Sequence, residues 1–74
     1  FEADGRLYGL GANDAGSCLV SLIATFCYVY DRPGLAYNLV LAATAEEEIS
    51  GRDGLEIVLP ELPPISFAIV GEPT

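Results

Sequence analysis

Tyr37-Asn38-Leu39-Val40-Leu41-Ala42-Ala43-Thr44-Ala45 runs straight into Glu46-Glu47-Glu48. The run is apolar with little alternation, which predicts an inner strand covered on both faces. Three adjacent carboxylates repel one another, so a folded chain keeps them together where they face solvent or gather round a cation. Two further acids also follow short apolar stretches and sit at turns. Asp14 lies in Gly9-Leu10-Gly11-Ala12-Asn13-Asp14-Ala15-Gly16, and Glu72 lies in Val70-Gly71-Glu72-Pro73-Thr74. In an α/β sheet the loops beyond the carboxyl ends of strands collect functional groups. The pattern therefore predicts acids from three segments at one sheet edge, and a metal site there.

The rest of the chain supplies the frame for that edge. Asp4-Gly5 is a hairpin signal, and Arg6-Leu7-Tyr8 starts a short strand. Gly9, Gly11 and Gly16 make a loop that allows close backbone approach. Leu19, Leu22, Ile23, Phe26 and Tyr30 recur at helical spacing. Val20 and Val29 add a second apolar face, so residues 15–30 read as a buried helix, with Asp14 or Ser17 as its cap. That stretch falls short of the ~20 residues a membrane span needs. Asp31-Arg32-Pro33-Gly34 stops the helix.

Beyond the acids, Ser50-Gly51-Arg52-Asp53-Gly54 reads as a loop. Leu55 to Leu59 forms at most two helical turns before Pro60, and Pro63-Pro64 is a rigid linker. Ser66-Phe67-Ala68-Ile69-Val70 predicts another buried strand. The order strand, helix, strand, short helix, strand implies an α/β fold, with the last two strands parallel neighbours joined by a crossover. The chain shows neither an internal repeat nor a low-complexity tract.

Composition narrows the functional classes. Seventy-four residues allow one small domain, yet 51% of them are hydrophobic, more than so small a body hides. Together with a start at Phe1, this reads as a piece of a longer chain. Three basic against eleven acidic residues give a net charge of −8. That balance argues against nucleic acid, which is held by Lys and Arg, and against anionic membrane surfaces. A divalent cation fits the sign, while solubility alone is the plainer account of the acids. Cys18 and Cys27 would lie roughly 13 Å apart along a helix and on opposite sides of it. A disulfide needs Cα atoms within about 7 Å, so the two cannot pair, and free thiols suit a reducing, cytoplasmic setting.

The three acidic segments, taken in order, resemble the motifs of the co-catalytic zinc amidohydrolase and metallopeptidase family. Its members include acetylornithine deacetylase, succinyl-diaminopimelate desuccinylase, aminoacylase and glutamate-releasing carboxypeptidases. Tyr8-Gly9-Leu10-Gly11-Ala12-Asn13-Asp14 resembles the family's Gly-x-Gly-x-x-Asp segment. Ala45-Glu46-Glu47-Glu48, followed by Gly51 and Gly54, resembles its acidic-Glu-Glu segment. Val70-Gly71-Glu72-Pro73-Thr74 resembles its Gly-Glu-Pro-(Ser/Thr) segment. Any one motif is weak, but three in register cover essentially the whole chain. The Asp14-Ala15-Gly16 turn and the acid triplet look most like the acetylornithine deacetylase branch.

The resemblance implies a zinc-peptidase-type catalytic domain, a mixed sheet flanked by helices, of which residues 1–74 are a part. It implies two zinc ions, with cobalt or manganese as substitutes. Asp14 would bridge them, Glu48 would bind one and Glu72 the other, while Glu47 would act as general base on the attacking water. The peptide after the bridging acid is typically cis in the family, here Asp14-Ala15. The implied partner is a small N-acyl amino acid such as N-acetylornithine, with a homodimeric parent left open. The family pattern also includes a histidine on either side of these motifs, and this chain has none. Zinc sites ordinarily include nitrogen or sulfur, so the chain carries three of the implied ligands and the base, not a whole site. The family's lid or dimerisation domain is absent too, and the 74 residues alone are expected to be inactive.

Three other readings compete. A related dipeptidase or carboxypeptidase would use the same residues. A nucleotide-binding α/β module would use Gly9-x-Gly11 and Gly16, but Asp14 would then face a pyrophosphate with the wrong charge. Such binding would survive a chelator and would not need Glu72. A non-catalytic acidic piece would tolerate neutral residues at Glu47 and Glu48, and would gain stability if anything.

Overall fold

The computed structural model describes residues 1–73. A two-stranded antiparallel hairpin opens the chain, β1 (Glu2–Ala3) paired with β2 (Arg6–Leu7) in the register Glu2 with Leu7 and Ala3 with Arg6. Asp4 and Gly5 both take positive φ, 52° and 69°, which is what a tight two-residue hairpin turn requires. Phe1 and Tyr8 close the open end, their rings stacked at 5.1 Å between centroids.

The Gly-rich loop then folds back on itself. The Gly16 amide donates to the Gly11 carbonyl at 2.9 Å, and the Ala12 amide to the Gly9 carbonyl at 3.1 Å. Two glycines are required here for different reasons. Gly11 sits at φ 72°, and a Cβ on Gly16 would run into the Gly11 carbonyl oxygen. Helix α1 (Gly16–Val29) follows, close to the bounds expected from its periodicity.

The cap differs from expectation. Ala15 occupies the cap position and no side chain caps the first turn. The Ser17 hydroxyl instead donates backward to the Asn13 carbonyl at 3.0 Å, tying the helix to the loop before it. Ser21 and Thr25 likewise donate to carbonyls one turn earlier, at 2.8 Å each. This satisfies their hydroxyls on a helix that is otherwise apolar. Arg32 ends the helix by donating to the Tyr28 carbonyl at 3.0 Å with its guanidinium 4.0 Å from the Tyr28 ring centroid.

A second helical segment joins α2 (Leu55–Val58) to a single 3₁₀ turn (Leu59–Glu61). Pro60 sits within the first positions of that turn rather than ending the segment ahead of it, because its missing N–H has no partner to lose there. None of the described helices is long and apolar enough to cross a membrane.

The two expected inner strands are where the structure departs from the sequence reading. Neither 37–45 nor 66–70 forms a hydrogen-bonded strand among the described residues. The runs do approach one another, with the Tyr37 and Phe67 rings edge to face at 5.4 Å. Their apolar side chains stay open: Phe67 is 60% exposed and Val70 78%. Helix α1 is likewise uncovered, with no buried residue, and Cys27 is exposed rather than buried. The physical reason is shared. An inner strand needs ladder partners on both sides and cover on both faces, and no described segment provides either.

The dimensions agree with that account. The Cα radius of gyration is 14.9 Å, against about 11 Å for a compact body of this length. The accessible surface is 6542 Å², against roughly 4400 Å² for a folded monomer of this mass. No apolar side chain is buried among the described residues.

Candidate metal centre

The acidic segments are three loops, each shaped by close contacts. Asp14 ends the Gly-rich loop and is joined to Ala15 by a cis peptide, as the family resemblance implies. Its place is fixed from both sides, by the Gly16-to-Gly11 closure and by the Ser17 hydroxyl on Asn13.

The triplet sits in a closed loop. Glu46 takes φ 63°, a left-handed conformation that costs a non-glycine residue about 1–2 kcal/mol. Local hydrogen bonds oppose that cost. The Gly51 amide donates to the Glu46 carbonyl at 3.0 Å and the Ser50 amide to the Glu47 carbonyl at 3.0 Å. The Asp53 amide donates to Glu46 Oε2 at 3.2 Å. Two glycines make room for this closure. A Cβ on Gly51 would lie 2.7 Å from Glu46 Cβ, and one on buried Gly54 would strike the Ala45 carbonyl.

Glu72 is brought in by contact with the helix. A Cβ on Gly71 would fall 2.7 Å from Leu22 Cδ1 and 3.2 Å from Cys18 Cβ. The segment carrying Glu72 thus lies against the first turns of α1, the same end that Asp14 leads into. Thr74, the last residue of that motif, lies outside the described residues.

All of these acids border one broad trough of about 1200 Å³. Asp14, Glu46, Glu47, Glu48 and Glu72 line it, and the apolar runs 37–45 and 66–70 form its floor. The sequence pattern placed these acids at the edge of one sheet; among the described residues no such sheet forms, and the acids share only the border of the trough. Ligation distance is not reached, since no three His, Cys, Asp or Glu groups converge to hold an ion among the described residues. The donor chemistry fits a divalent cation, being entirely carboxylate oxygen. With no histidine in the chain, these residues fit as contributors to such a site and do not complete a zinc site themselves.

Sequence reasoning left one contact of the acidic loop unread, the carboxylate of Glu46 accepting the Asp53 amide. The signal for it was present in Gly51 and Gly54, whose spacing marks a loop that closes tightly on the residues before it.

A model of peptidase family M20/M25/M40 matches residues 1–74. The chain belongs to that family. Among curated proteins it is similar to the succinyl-diaminopimelate desuccinylase of Verminephrobacter eiseniae, 37% identical over 96% of this chain and 19% of that protein. The enzyme of the same name from Buchnera aphidicola subsp. Cinara cedri is 36% identical over 96% of the chain and 20% of its own length. That from Delftia acidovorans is 32% identical with the same coverage. The chain thus spans about a fifth of the length of these relatives. No solved structure matches it.

Proposed function

We propose that residues 1–74 are part of the catalytic domain of a metal-dependent amidohydrolase that cleaves the amide of an N-acyl amino acid. The observation that carries this is the trough. Asp14, Glu47, Glu48 and Glu72 reach it from three separate segments, in a chain matched from end to end by one hydrolase family.

In this reading Asp14, Glu48 and Glu72 would hold the metal. Ligands from beyond these residues complete the set, nitrogen donors included, and zinc is the metal we assign. A divalent ion in such a place supplies Lewis acidity toward the amide carbonyl and eases deprotonation of water. The chain's own contribution is Glu47. Its carboxylate takes a proton from water as the water oxygen bonds to the amide carbon. It then returns that proton to the nitrogen as the C–N bond breaks, leaving a carboxylate and a free amine. The open apolar floor of the trough excludes water once it is covered, which strengthens every charge interaction inside.

For the acyl group, the desuccinylase names of the similar proteins favour an N-succinyl diamino acid over N-acetylornithine. The acetylornithine branch rests only on the small turn after Asp14. Two unpaired cysteines on a single helix suit a reducing cytoplasm. The test uses the full-length protein that carries this segment. Metal content and hydrolysis of N-succinyl-diaminopimelate and N-acetylornithine are measured for wild type and Glu47→Gln. We expect unchanged metal in both and a turnover loss of about 10²–10⁴-fold in the variant. Wild-type turnover in the variant would remove Glu47 as the base. Failure of both substrates with metal bound would remove the proposed substrate class.

A further inference from the structure

The three acids of the triplet are not equivalent. Glu46 Oε2 accepts the Asp53 amide at 3.2 Å across the loop. Neither the Glu47 nor the Glu48 carboxylate has a hydrogen-bond partner among the described residues. The first acid is therefore held by the protein, while the next two are left free at the edge of the trough.

The hold on Glu46 is doubled at its backbone. The same residue that accepts through its side chain also accepts the Gly51 amide through its carbonyl at 3.0 Å. It does so at φ 63°, a conformation that Glu adopts only where its surroundings impose it. Gly51 and Gly54 complete the fit, since a Cβ on either would meet Glu46 or the Ala45 carbonyl. Side-chain and main-chain contacts from Gly51 and Asp53 thus converge on one residue, whose next peptide bond carries Glu47.

We infer that Glu46 is a positioning residue whose carboxylate, by accepting the Asp53 amide across the loop, fixes the backbone from which Glu47 reaches the trough. This rests on the reading of Glu47 as the base, and it assigns Glu46 neither a metal nor a proton. What the role requires is a hydrogen-bond acceptor at the right length, not a negative charge. An amide oxygen meets that requirement, and a methyl group does not.

The distinction sets the experiment, made on the full-length metal-loaded protein. Glu46→Ala is expected to lower kcat about 10- to 100-fold, the scale of a misplaced catalytic group. KM should stay within about twofold and metal content should be unchanged, because neither substrate binding nor ligation is touched. Glu46→Gln should keep kcat within about threefold of wild type, because its amide oxygen still accepts. Hydrogen exchange gives a readout separate from turnover. The Asp53 amide should exchange faster in Glu46→Ala and at the wild-type rate in Glu46→Gln.

Full kcat in Glu46→Ala overturns the inference. So does equal damage from Gln and Ala, which would make charge the requirement, and so does loss of metal from Glu46→Ala. If the Ala variant accumulates poorly, Gly51→Ala attacks the same contact from the other side and should lower kcat with KM held. Glu47→Gln is run alongside. If it retains turnover, the base assignment fails by itself, and the Asp53 exchange rates still report whether Glu46 holds the loop.

Discussion

The Gly-rich loop with its helix and the pair of apolar runs are built from similarly hydrophobic sequence, yet only the first satisfies its backbone locally. From Gly9 to Val29 nearly every step is closed by a neighbour fewer than six residues away: Gly16 to Gly11, Ser17 to Asn13, Ser21 to Ser17. The runs at 37–45 and 66–70 have no such local partner and form no ladder among the described residues. Local hydrogen bonds form with whatever chain is at hand. A sheet interior forms only when strands distant in sequence are brought alongside, and each must be covered before its apolar area is worth anything.

The sharpest way to break this comparison is to separate the 74 residues from the rest of the protein. The isolated chain should show no measurable hydrolysis of either acylated amino acid, and its thermal melt should lack a cooperative transition, since there is no core to lose. An apolar dye should bind it freely. Measurable metal-dependent turnover, or a sharp melt, would mean that the open runs find their own cover and that the difference between the two regions is smaller than drawn.

Next in size is a substitution on the uncovered side. Phe67 is 60% exposed here and packs edge to face with the Tyr37 ring. In the isolated chain Phe67→Ala should change stability by less than about 0.5 kcal/mol, as surface changes do. In the full-length protein, if the run is an inner strand, the same change should cost about 3–5 kcal/mol. Chemical denaturation of both forms checks it. Equal, small effects in the two would place Phe67 on a true surface.

Gly16→Ala probes the locally closed side. The added Cβ would meet the Gly11 carbonyl, the same oxygen that closes the loop. An overpacking cost of about 1–3 kcal/mol is expected in the full-length protein. Gly9→Ala, where a Cβ would meet nothing within 4 Å, should cost far less. A melting series on the two variants separates them, and similar losses would sink the close-approach account.

What was legible in the sequence follows the same division. Asp4-Gly5 named its hairpin, and the spacing of Leu19, Leu22, Ile23 and Phe26 named α1, because turn chemistry and helical period act over a few residues. The acids at Asp14, Glu47, Glu48 and Glu72 were legible as candidates; they border one trough but do not converge to hold an ion among the described residues. Two things were not. The strand pairing of 37–45 and 66–70 depends on partners the pattern cannot specify. The unequal hydrogen bonding inside Glu46-Glu47-Glu48 depends on which carboxylate the loop captures. Adjacent identical residues give no hint of that until Asp53 is seen to fold back.

The smallest effect expected is at the hairpin turn, where local chemistry should stand almost alone. Gly5 sits at φ 69°, yet a Cβ there would meet nothing within 4 Å. Gly5→Ala therefore tests conformation without a clash, and should cost about 1 kcal/mol for placing an L side chain in the left-handed region. Asp4 shares the turn at φ 52° and already tolerates such a conformation, as Asp does more readily than most residues. Gly5→Asn should for the same reason cost less than Gly5→Ala. Because β1 and β2 pair over only two residues each, that penalty is a large share of what holds the hairpin. It should appear as faster exchange of the Tyr8 amide, which donates to the Phe1 carbonyl at 2.8 Å, while the amides of α1 exchange as before. Loss of protection in α1 as well would mean that the hairpin and the helix form one cooperative unit, and that the division between locally closed and openly unpaired regions runs through the chain at a different place.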